Sequence, residues 1–305
     1  MKRKILMTGS TGFVGKNLQK FFVNKCFDIQ GISMREVTWS KRINMDSYAI
    51  IHLAGKAHDT SNVSNPQDYF TINRDLTIQL FDQFLSSEIK DFFYFSSVKA
   101  VADTVDGVLT EQDLANPLSP YGKSKLEAEK YLLSKELPLG KRLFIIRPCM
   151  IHGPGNKGNL NLLFNIVKKG IPWPLGSFNN QRSFLSIDNL CFLIDKMLKD
   201  ERLKSGIYNF SDDKALSTNE LVSLISRALN KKPKVWKIDK RLITNLAKLG
   251  DKLSLPLNSE RLKKLTESYV VSNAKIKREL KVDKLPISVE EGLEITIQSF
   301  NTGAK

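Results

Sequence analysis

Tyr121 and Lys125 stand at i and i+4 in the segment Ser119-Pro120-Tyr121-Gly122-Lys123-Ser124-Lys125. A helix beginning near Pro120 presents both from one face. A phenol titrates at about 10 and is a poor base at neutral pH, whereas an ammonium beside it stabilises the phenolate and makes it a usable proton acceptor. A hydroxyl that polarises the reacting oxygen would complete such a set, and Phe95-Ser96-Ser97-Val98 supplies one where a strand should end. Taken singly these are ordinary features: Tyr-x-x-x-Lys on a helix is usually surface decoration, and Ser-Ser after a strand is usually a turn.

A second constellation gives the first its meaning. Thr8-Gly9-Ser10-Thr11-Gly12-Phe13-Val14-Gly15 follows the apolar run Lys4–Met7 and opens a stretch of helical spacing at Gly15–Asn24. In that context Gly9 permits a tight turn, Gly12 lets the backbone approach a phosphate, and Gly15 lets helix and strand pack closely. The expectation is a dinucleotide whose pyrophosphate rests on a helix N-terminus. A positively charged nicotinamide ring would depress the Tyr121 phenol further, and Lys125 could hydrogen-bond the cofactor ribose. No acid stands at the end of the second strand to hold a ribose 2′-hydroxyl; the chain reads Gly31-Ile32-Ser33-Met34-Arg35. Ser33 and Arg35 could receive a 2′-phosphate instead, since Arg pairs bidentately with phosphate oxygens. The alternative leaves Arg35 in solvent, with Glu36 or the backbone serving the ribose. NADP is therefore favoured and NAD left open.

The elements that must position these residues are legible as alternation. Apolar runs at Lys4–Met7, Asp28–Ile32, Ile50–Leu53, Phe92–Phe95 and Leu143–Ile146 read as buried strands. Gly15–Asn24, Asn73–Leu85 and Lys123–Leu133 between them have helical spacing. This predicts an α/β chain with a Rossmann-type doubly wound parallel sheet. The gap from Ile32 to Ile50 has room for a rudimentary strand and a turn, not a full crossover helix. Further on, helices are expected at Leu160–Lys169, Ser186–Leu198, Leu221–Leu229 and Val289–Phe300, with a strand at Ile207–Phe210. Ser217 with Glu220 three residues later forms a capping box. The predicted division is a dinucleotide-binding domain of residues 1–155 plus about 183–205, and a smaller mixed α/β substrate-binding lobe of about 156–182 plus 206–305.

Composition narrows the class. The chain has 305 residues, of which 41% are hydrophobic and 26% charged, which excludes a disordered tail, a collagen and a disulfide-stapled miniature. Cys26, Cys149 and Cys191 are far apart and odd in number, show no metal-ligand spacing, and suggest a reducing compartment. Met1-Lys2-Arg3-Lys4 is followed by too short an apolar run for a signal peptide, and no run is long enough to span a bilayer. A soluble, cytoplasmic protein without a transmembrane segment is expected. His52, His58 and His152 have no partners at metal-ligand spacing; His52 reads as structural, His58 as a loop residue near the cofactor, and His152 as a residue beside Gly153-Pro154. No zinc site and no Ser-His-Asp hydrolase arrangement is expected. The net charge is +15, and Lys231–Glu267 alone holds eleven Lys and Arg against four acids. The plain reading there is a solvated Lys-rich face, and the alternative is an anionic leaflet. Nucleic acid has only net charge behind it, with no aromatic interleaving for base stacking.

Taken together and in this order, the motifs resemble those of the extended short-chain dehydrogenase/reductase superfamily, in particular its nucleotide-sugar epimerases and dehydratases. The resemblance covers nearly the whole chain. Its carriers are the glycine loop, Ile51-His52-Leu53-Ala54-Gly55, Asn73 with Thr77, Ser96-Ser97, Tyr121 with Lys125, Arg147-Pro148, Gly153-Pro154-Gly155, Arg182 with Asp188, and Tyr208-Asn209. It implies Tyr121 as general acid/base, Ser97 as the oxygen-polarising hydroxyl and Lys125 as the ribose-holding cation. It sets the cofactor against Gly9, Thr11, Gly12, Phe13, Val14, Gly15, Leu53, Ala54, Gly55, Asn73, Ser96, Tyr121, Lys125 and Pro148, with Ser33 and Arg35 at the adenosine end. Substrate contacts fall to Ser97, Tyr121, Asn159 and Arg182, with Arg182 gripping a diphosphate. The loop Trp173–Ser177 is a region of contact with the nucleotide base.

What the resemblance implies is hydride transfer at C4 of a nucleoside-diphosphate sugar, with UDP the expected nucleotide. An epimerase stands first and an NADPH-dependent 4-ketoreductase second. A non-catalytic dinucleotide-binding regulator is the alternative of another class, and such proteins commonly lack the Tyr/Lys pair kept here. Two departures matter. Lys99-Ala100-Val101-Ala102 stands where the family commonly has Val-Tyr-Gly, and the segment Ile32–Ile50 leaves the adenine pocket poorly defined. No acidic pair follows Ser97, which disfavours dehydration. Family members often dimerise through helices matching Asn73–Leu85 and Lys123–Leu133, so a homodimer is compatible with the resemblance.

Overall fold

The computed structural model describes residues 2–23, 25–36, 38–44, 46–56, 65–156, 159–253 and 258–302, except for the side chains of Asn159 and Thr302. Along the chain run β1 (Arg3–Thr8), α1 (Phe13–Phe22), β2 (Phe27–Ile32), β3 (Ala49–His52), α2 (Pro66–Tyr69), α3 (Leu76–Leu85), β4 (Asp91–Phe95), β5 (Val108–Leu109) and α4 (Pro120–Leu133). There follow β6 (Arg142–Pro148), β7 (Met150–His152), α5 (Asn159–Lys168), β8 (Phe184–Ser186), α6 (Ile187–Lys199), β9 (Gly206–Phe210) and α7 (Thr218–Ala228). The chain continues through α8 (Lys240–Leu253), α9 (Ser259–Thr266), β10 (Val270–Val271), α10 (Ala274–Leu280) and α11 (Val289–Thr302).

Six strands form one parallel sheet in the order β2-β1-β3-β4-β6-β9. Ile5 lies opposite Ile29 and Ala49, Ile51 opposite Phe93, and Phe93 opposite Phe144. The apolar runs are continuous because both faces of the sheet are covered. Ile5, Met7, Ile51, Phe93, Phe144 and Ile146 face one way and pack with Leu18, Phe22, Leu190 and Ile194 of α1 and α6. Leu6, Ile50, Phe92, Tyr94, Leu143 and Ile145 face the other way, onto Leu80, Phe81, Ala128 and Leu132 of α3 and α4. This alternation is the period of two expected of a strand.

Among the described residues, the short connection after β2 contains only a 3-10 turn, Trp39–Arg42. Trp39 and Ile43 fill the space a crossover helix would occupy, packing into the α3 and α4 side of the core. One boundary differs from the reading of the sequence. Residues 206–210, assigned there to the smaller lobe, form β9 and pair with β6 in the main sheet, Ile146 opposite Tyr208. A five-residue apolar strand cannot show by itself which sheet it joins. The smaller lobe has its own core, built from α5, α7, α8, α9 and α11 around Phe164, Trp173, Leu224, Ile225 and Ile297. Two short parallel pairs, β7 with β8 and β5 with β10, join the segments above the sheet.

Candidate active site

The order of strands reverses between β1 and β3, and the crevice beyond their carboxyl ends is where ligands bind in open α/β sheets. Gly9 occupies it with φ +65°, and a Cβ there would lie 2.8 Å from the backbone of Leu53 and Ala54. The loop after β1 thus touches the loop after β3, and only glycine fits. At Gly15 a Cβ would meet the Gly9 carbonyl at 2.5 Å, so α1 starts pressed against the turn. Gly12 caps α1 without any side-chain hydrogen bond, and the first turn of the helix holds no acid. A Cβ at Gly12 would meet one atom, the Gly9 carbonyl at 3.2 Å, and otherwise occupy open space. A bare helix N-terminus beside an open, exposed Thr11-Gly12 backbone fits a pyrophosphate. Phe13 lies against Gly153 after β7.

Beyond β4, Ser97 begins a 3-10 turn and its Oγ accepts from the Lys99 amide at 3.2 Å. Tyr121, in the first turn of α4, has the Ser97 side chain close to its phenol. Its ring also meets Tyr69 edge to face, centroids 6.1 Å apart. Burial pushes the phenol above its ordinary value, the neighbouring Ser97 hydroxyl opposes that, and the charge of Tyr69 adds to it. Lys125 is 5% exposed. Its Nζ donates to the Phe95 carbonyl at 2.8 Å and sits 4.9 Å from the centre of the Tyr94 ring. Burial pulls this ammonium down to about 8 against the pull of Glu129. The expectation that Lys125 lowers the phenol is therefore not met in this state: the ammonium serves Phe95 and Tyr94, and burial dominates Tyr121.

Several residues that hold this set were missed in the sequence. Glu129, one turn beyond Lys125, accepts from the Ser96 hydroxyl and from Arg147, whose Nη2 lies 2.5 Å from Oε2. All three are buried, with Glu129 at 1% exposure and Arg147 at 4%. The i+4 spacing from Lys125 to Glu129 was the available signal. Asp103 accepts from the Leu118 and Ser119 amides at 2.6 and 3.1 Å, and Lys99 Nζ donates to the Asp103 carbonyl at 2.7 Å. Ser119 in turn caps α4 at Gly122. These bonds tie the Ser97 turn to the first turn of the Tyr121 helix.

His52 is buried between β1 and α3, and its protons can be placed. Thr77 Oγ1 donates to the Asn73 carbonyl at 2.8 Å, so it accepts from His52 Nε2 at 2.9 Å. Thr8 Oγ1 accepts from the Ala54 amide and donates to His52 Nδ1 at 2.6 Å. Burial, with help from the Lys125 charge, lowers His52 to about 3 and keeps it neutral. Asn73 binds the Lys56 amide and carbonyl and the Ser124 hydroxyl, clasping the loop after β3 to α4. His152 is buried against Thr296 of α11 at 2.9 Å.

The remaining expected contacts are placed as follows. Ser33 and Arg35 are exposed beyond β2, while Glu36 is paired with Arg42 at 2.5 Å. Leu53 and Ala54 line the crevice beside Gly9, Gly55 abuts Asn73 and Lys125, and Pro148 ends β6 buried. Arg182 is half-buried, and its guanidinium donates to the Lys264 and Glu267 carbonyls at the end of α9. Arg182 pairs with Tyr269, whose hydroxyl donates to the Val98 and Ala102 carbonyls, which places Arg182 on the Ser97 side of the site. Asn159 begins α5 and its side chain lies outside the described residues, as does His58. Among the described residues no group of three His, Cys, Asp or Glu could hold a metal ion, and no helix is long and apolar enough to cross a membrane.

Residues 5–210 match the model of the NAD dependent epimerase/dehydratase family. A UDP-glucose 4-epimerase of Vibrio cholerae is 31% identical, over 98% of this chain and 96% of that protein. An N-acetyl-alpha-D-glucosaminyl-diphospho-ditrans,octacis-undecaprenol 4-epimerase of Escherichia coli O157:H7 is 28% identical, over 76% of this chain and 74% of its own. The solved structure of MoeE5 in complex with UDP-glucose and NAD has the same fold, with TM-score 0.75 at 19% identity over 99% of this chain and 100% of that chain.

Proposed function

The chain belongs to the NAD dependent epimerase/dehydratase family, and from that membership we propose that it is an epimerase acting at C4 of a nucleoside-diphosphate sugar, with UDP as the nucleotide. The observation that carries the reading is the convergence of Tyr121 and Ser97 at the carboxyl end of β4, with Lys125 buried one turn below and the glycine loop alongside. When bound, a nicotinamide dinucleotide supplies the hydride acceptor and donor. The protein's own residues do the rest. Ser97 orients the reacting oxygen, and Tyr121 takes the proton of the sugar hydroxyl and later returns it. Lys125 holds the ribose of the cofactor. Arg182 grips the diphosphate, Asn159 supplies a further substrate contact, and the α1 N-terminus with Thr11 and Gly12 holds the cofactor pyrophosphate. The raised phenol suits the proton-bearing role at rest, and a cation close by is needed before it acts as a base.

A second reading, an NADPH-dependent 4-ketoreductase, draws on one observation: Ser33 and Arg35 are exposed beyond β2 while the nearby acid, Glu36, is held by Arg42. Incubation with UDP-sugars and their 4-keto forms, with and without NADPH, separates the two. A polyprenyl-diphosphate sugar joins the panel because the Escherichia coli relative is named for one. Interconversion without net cofactor consumption supports the epimerase, and substrate-dependent NADPH oxidation supports the reductase. Tyr121→Phe should lower turnover by about 10²- to 10⁴-fold; wild-type turnover in that variant would refute the acid/base assignment.

A further inference from the structure

Helix α8 carries a feature that the chemistry leaves unused. Its inner side, Ile243, Ala247 and Gly250, is buried in the smaller lobe, next to Leu262 of α9. On its outer side Leu242, Leu246, Leu249 and Leu253 are 54%, 47%, 48% and 60% exposed. At about 100° per residue the four fall within about 60° of arc, so they form one stripe along the helix. By the same spacing Arg241, Lys248 and Lys252 lie together on the flank of that stripe away from the buried side, and all three are exposed. Trp236 just before α8 and Leu265 on α9 are also exposed apolar side chains.

The acids nearby do not neutralise this face. Asp239 caps the α8 N-terminus through the Arg241 and Leu242 amides. Asp251 points away from the stripe and accepts from Ser259, and Glu260 is paired with Lys264 at 2.6 Å. From Lys231 to Glu267 the cations exceed the acids by seven.

We propose that α8 docks the protein on an anionic phospholipid surface. Leu242, Leu246, Leu249 and Leu253 enter the acyl boundary, while Arg241, Lys248 and Lys252 meet lipid phosphates. A helix with an aliphatic stripe beside a row of cations lies in the plane of such an interface, and the two attractions add. Charge decides against the other occupants. A second copy seated on the stripe would bring two strongly cationic faces together. A nucleic acid would satisfy the cations and leave the leucines in water. The docking face adjoins the site: α9 packs on α8, and its last carbonyls are held by Arg182. The proposal does not depend on which reaction the site performs.

The test is co-sedimentation of the full chain with vesicles of equimolar phosphatidylcholine and phosphatidylglycerol, beside vesicles of phosphatidylcholine alone. Binding to the anionic vesicles, weakened by added salt, is expected. The variant L242N/L246N/L249N should keep its circular-dichroism melt, since the side chains are exposed, and lose vesicle binding. K248Q/K252Q should lower the partition coefficient about fivefold per cation, which gives a second reading should the leucine variant fail to fold. No sedimentation with anionic vesicles overturns the proposal. So does wild-type binding by the charge variant. A dimer in analytical ultracentrifugation that the leucine variant dissociates, or mixed-sequence DNA held more tightly than vesicles at equal salt, would name the other occupants.

Discussion

Gly122 sits where the Tyr121 helix and the Ser97 turn touch, and adding one methyl group there tests how closely the site depends on that contact. A Cβ at Gly122 would lie 2.4 Å from the Lys99 carbonyl, 2.8 Å from Pro117 Cβ and 3.1 Å from Ser119 Oγ. The first of these is backbone and cannot swing aside. Reaching even 3.0 Å from it requires the first turn of α4 to move about 0.6 Å from the turn that carries Ser97. In Gly122→Ala the gain in helix propensity, about 1 kcal/mol, opposes an overpacking cost of about 1–3 kcal/mol. Stability therefore changes little or falls by up to about 2 kcal/mol. Function should suffer more, because a misplacement of about 1 Å costs on the order of 100-fold in rate. We expect turnover to fall about 10- to 100-fold while cofactor affinity is kept, since the Gly9–Gly15 loop is elsewhere in the crevice. The assay is steady-state turnover on the substrate found in the panel, with urea unfolding and cofactor titration in parallel. Turnover within twofold of wild type would show that the backbone contact at Gly122 does not set the Tyr121–Ser97 geometry.

Three further outcomes are expected. Lys125, held at about 8, loses its charge as pH rises through that value, so cofactor affinity should fall above it. Because the folded value lies below the ordinary 10.5, the same group should add stability between about 8 and 10.5, on the order of 3 kcal/mol; a flat affinity profile from pH 7 to 9 refutes the ribose role. His52, lowered to about 3, should keep its imidazole proton shifts constant by NMR from pH 7 down to about 4. The unfolded chain takes up that proton near 6.5, so stability should fall as pH drops below 6.5, and a titration of the folded ring near 6.5 contradicts the Thr8–His52–Thr77 chain. Glu129→Gln should lower stability by about 3–5 kcal/mol by leaving Arg147 buried without its ion-pair partner; a melting temperature equal to wild type removes the pair from the framework under Lys125.

The sequence by itself determined the sheet strands, the glycine turn and the helical pairing of Tyr121 with Lys125. Each is written in a local period: continuous apolar runs for strands covered on both faces, i to i+4 for a helix face, and glycines where backbone must approach backbone. It also read the gap between Ile32 and Ile50 as a rudimentary strand and a turn, for want of the helical spacing seen in the other connections, and a 3-10 turn at Trp39–Arg42 stands there. Only the tertiary structure decided what those elements bring together. Ser97 meets Tyr121 across 24 positions of sequence, and Glu129 meets Arg147 across 18. His52 closes a relay between Thr8 and Thr77, and Gly206–Phe210 joins the main sheet. The same holds for the direction of each titration. Residue type sets the starting value, but burial raised Tyr121 and lowered Lys125 against what their spacing suggested. Desolvation depends on everything packed around a group, and a local pattern contains only its neighbours along the chain. The leucines of α8 belong with these: the sequence there reads only as a Lys-rich segment, and the fold shows Ile243 and Ala247 turned into the core and Leu242, Leu246, Leu249 and Leu253 left outside.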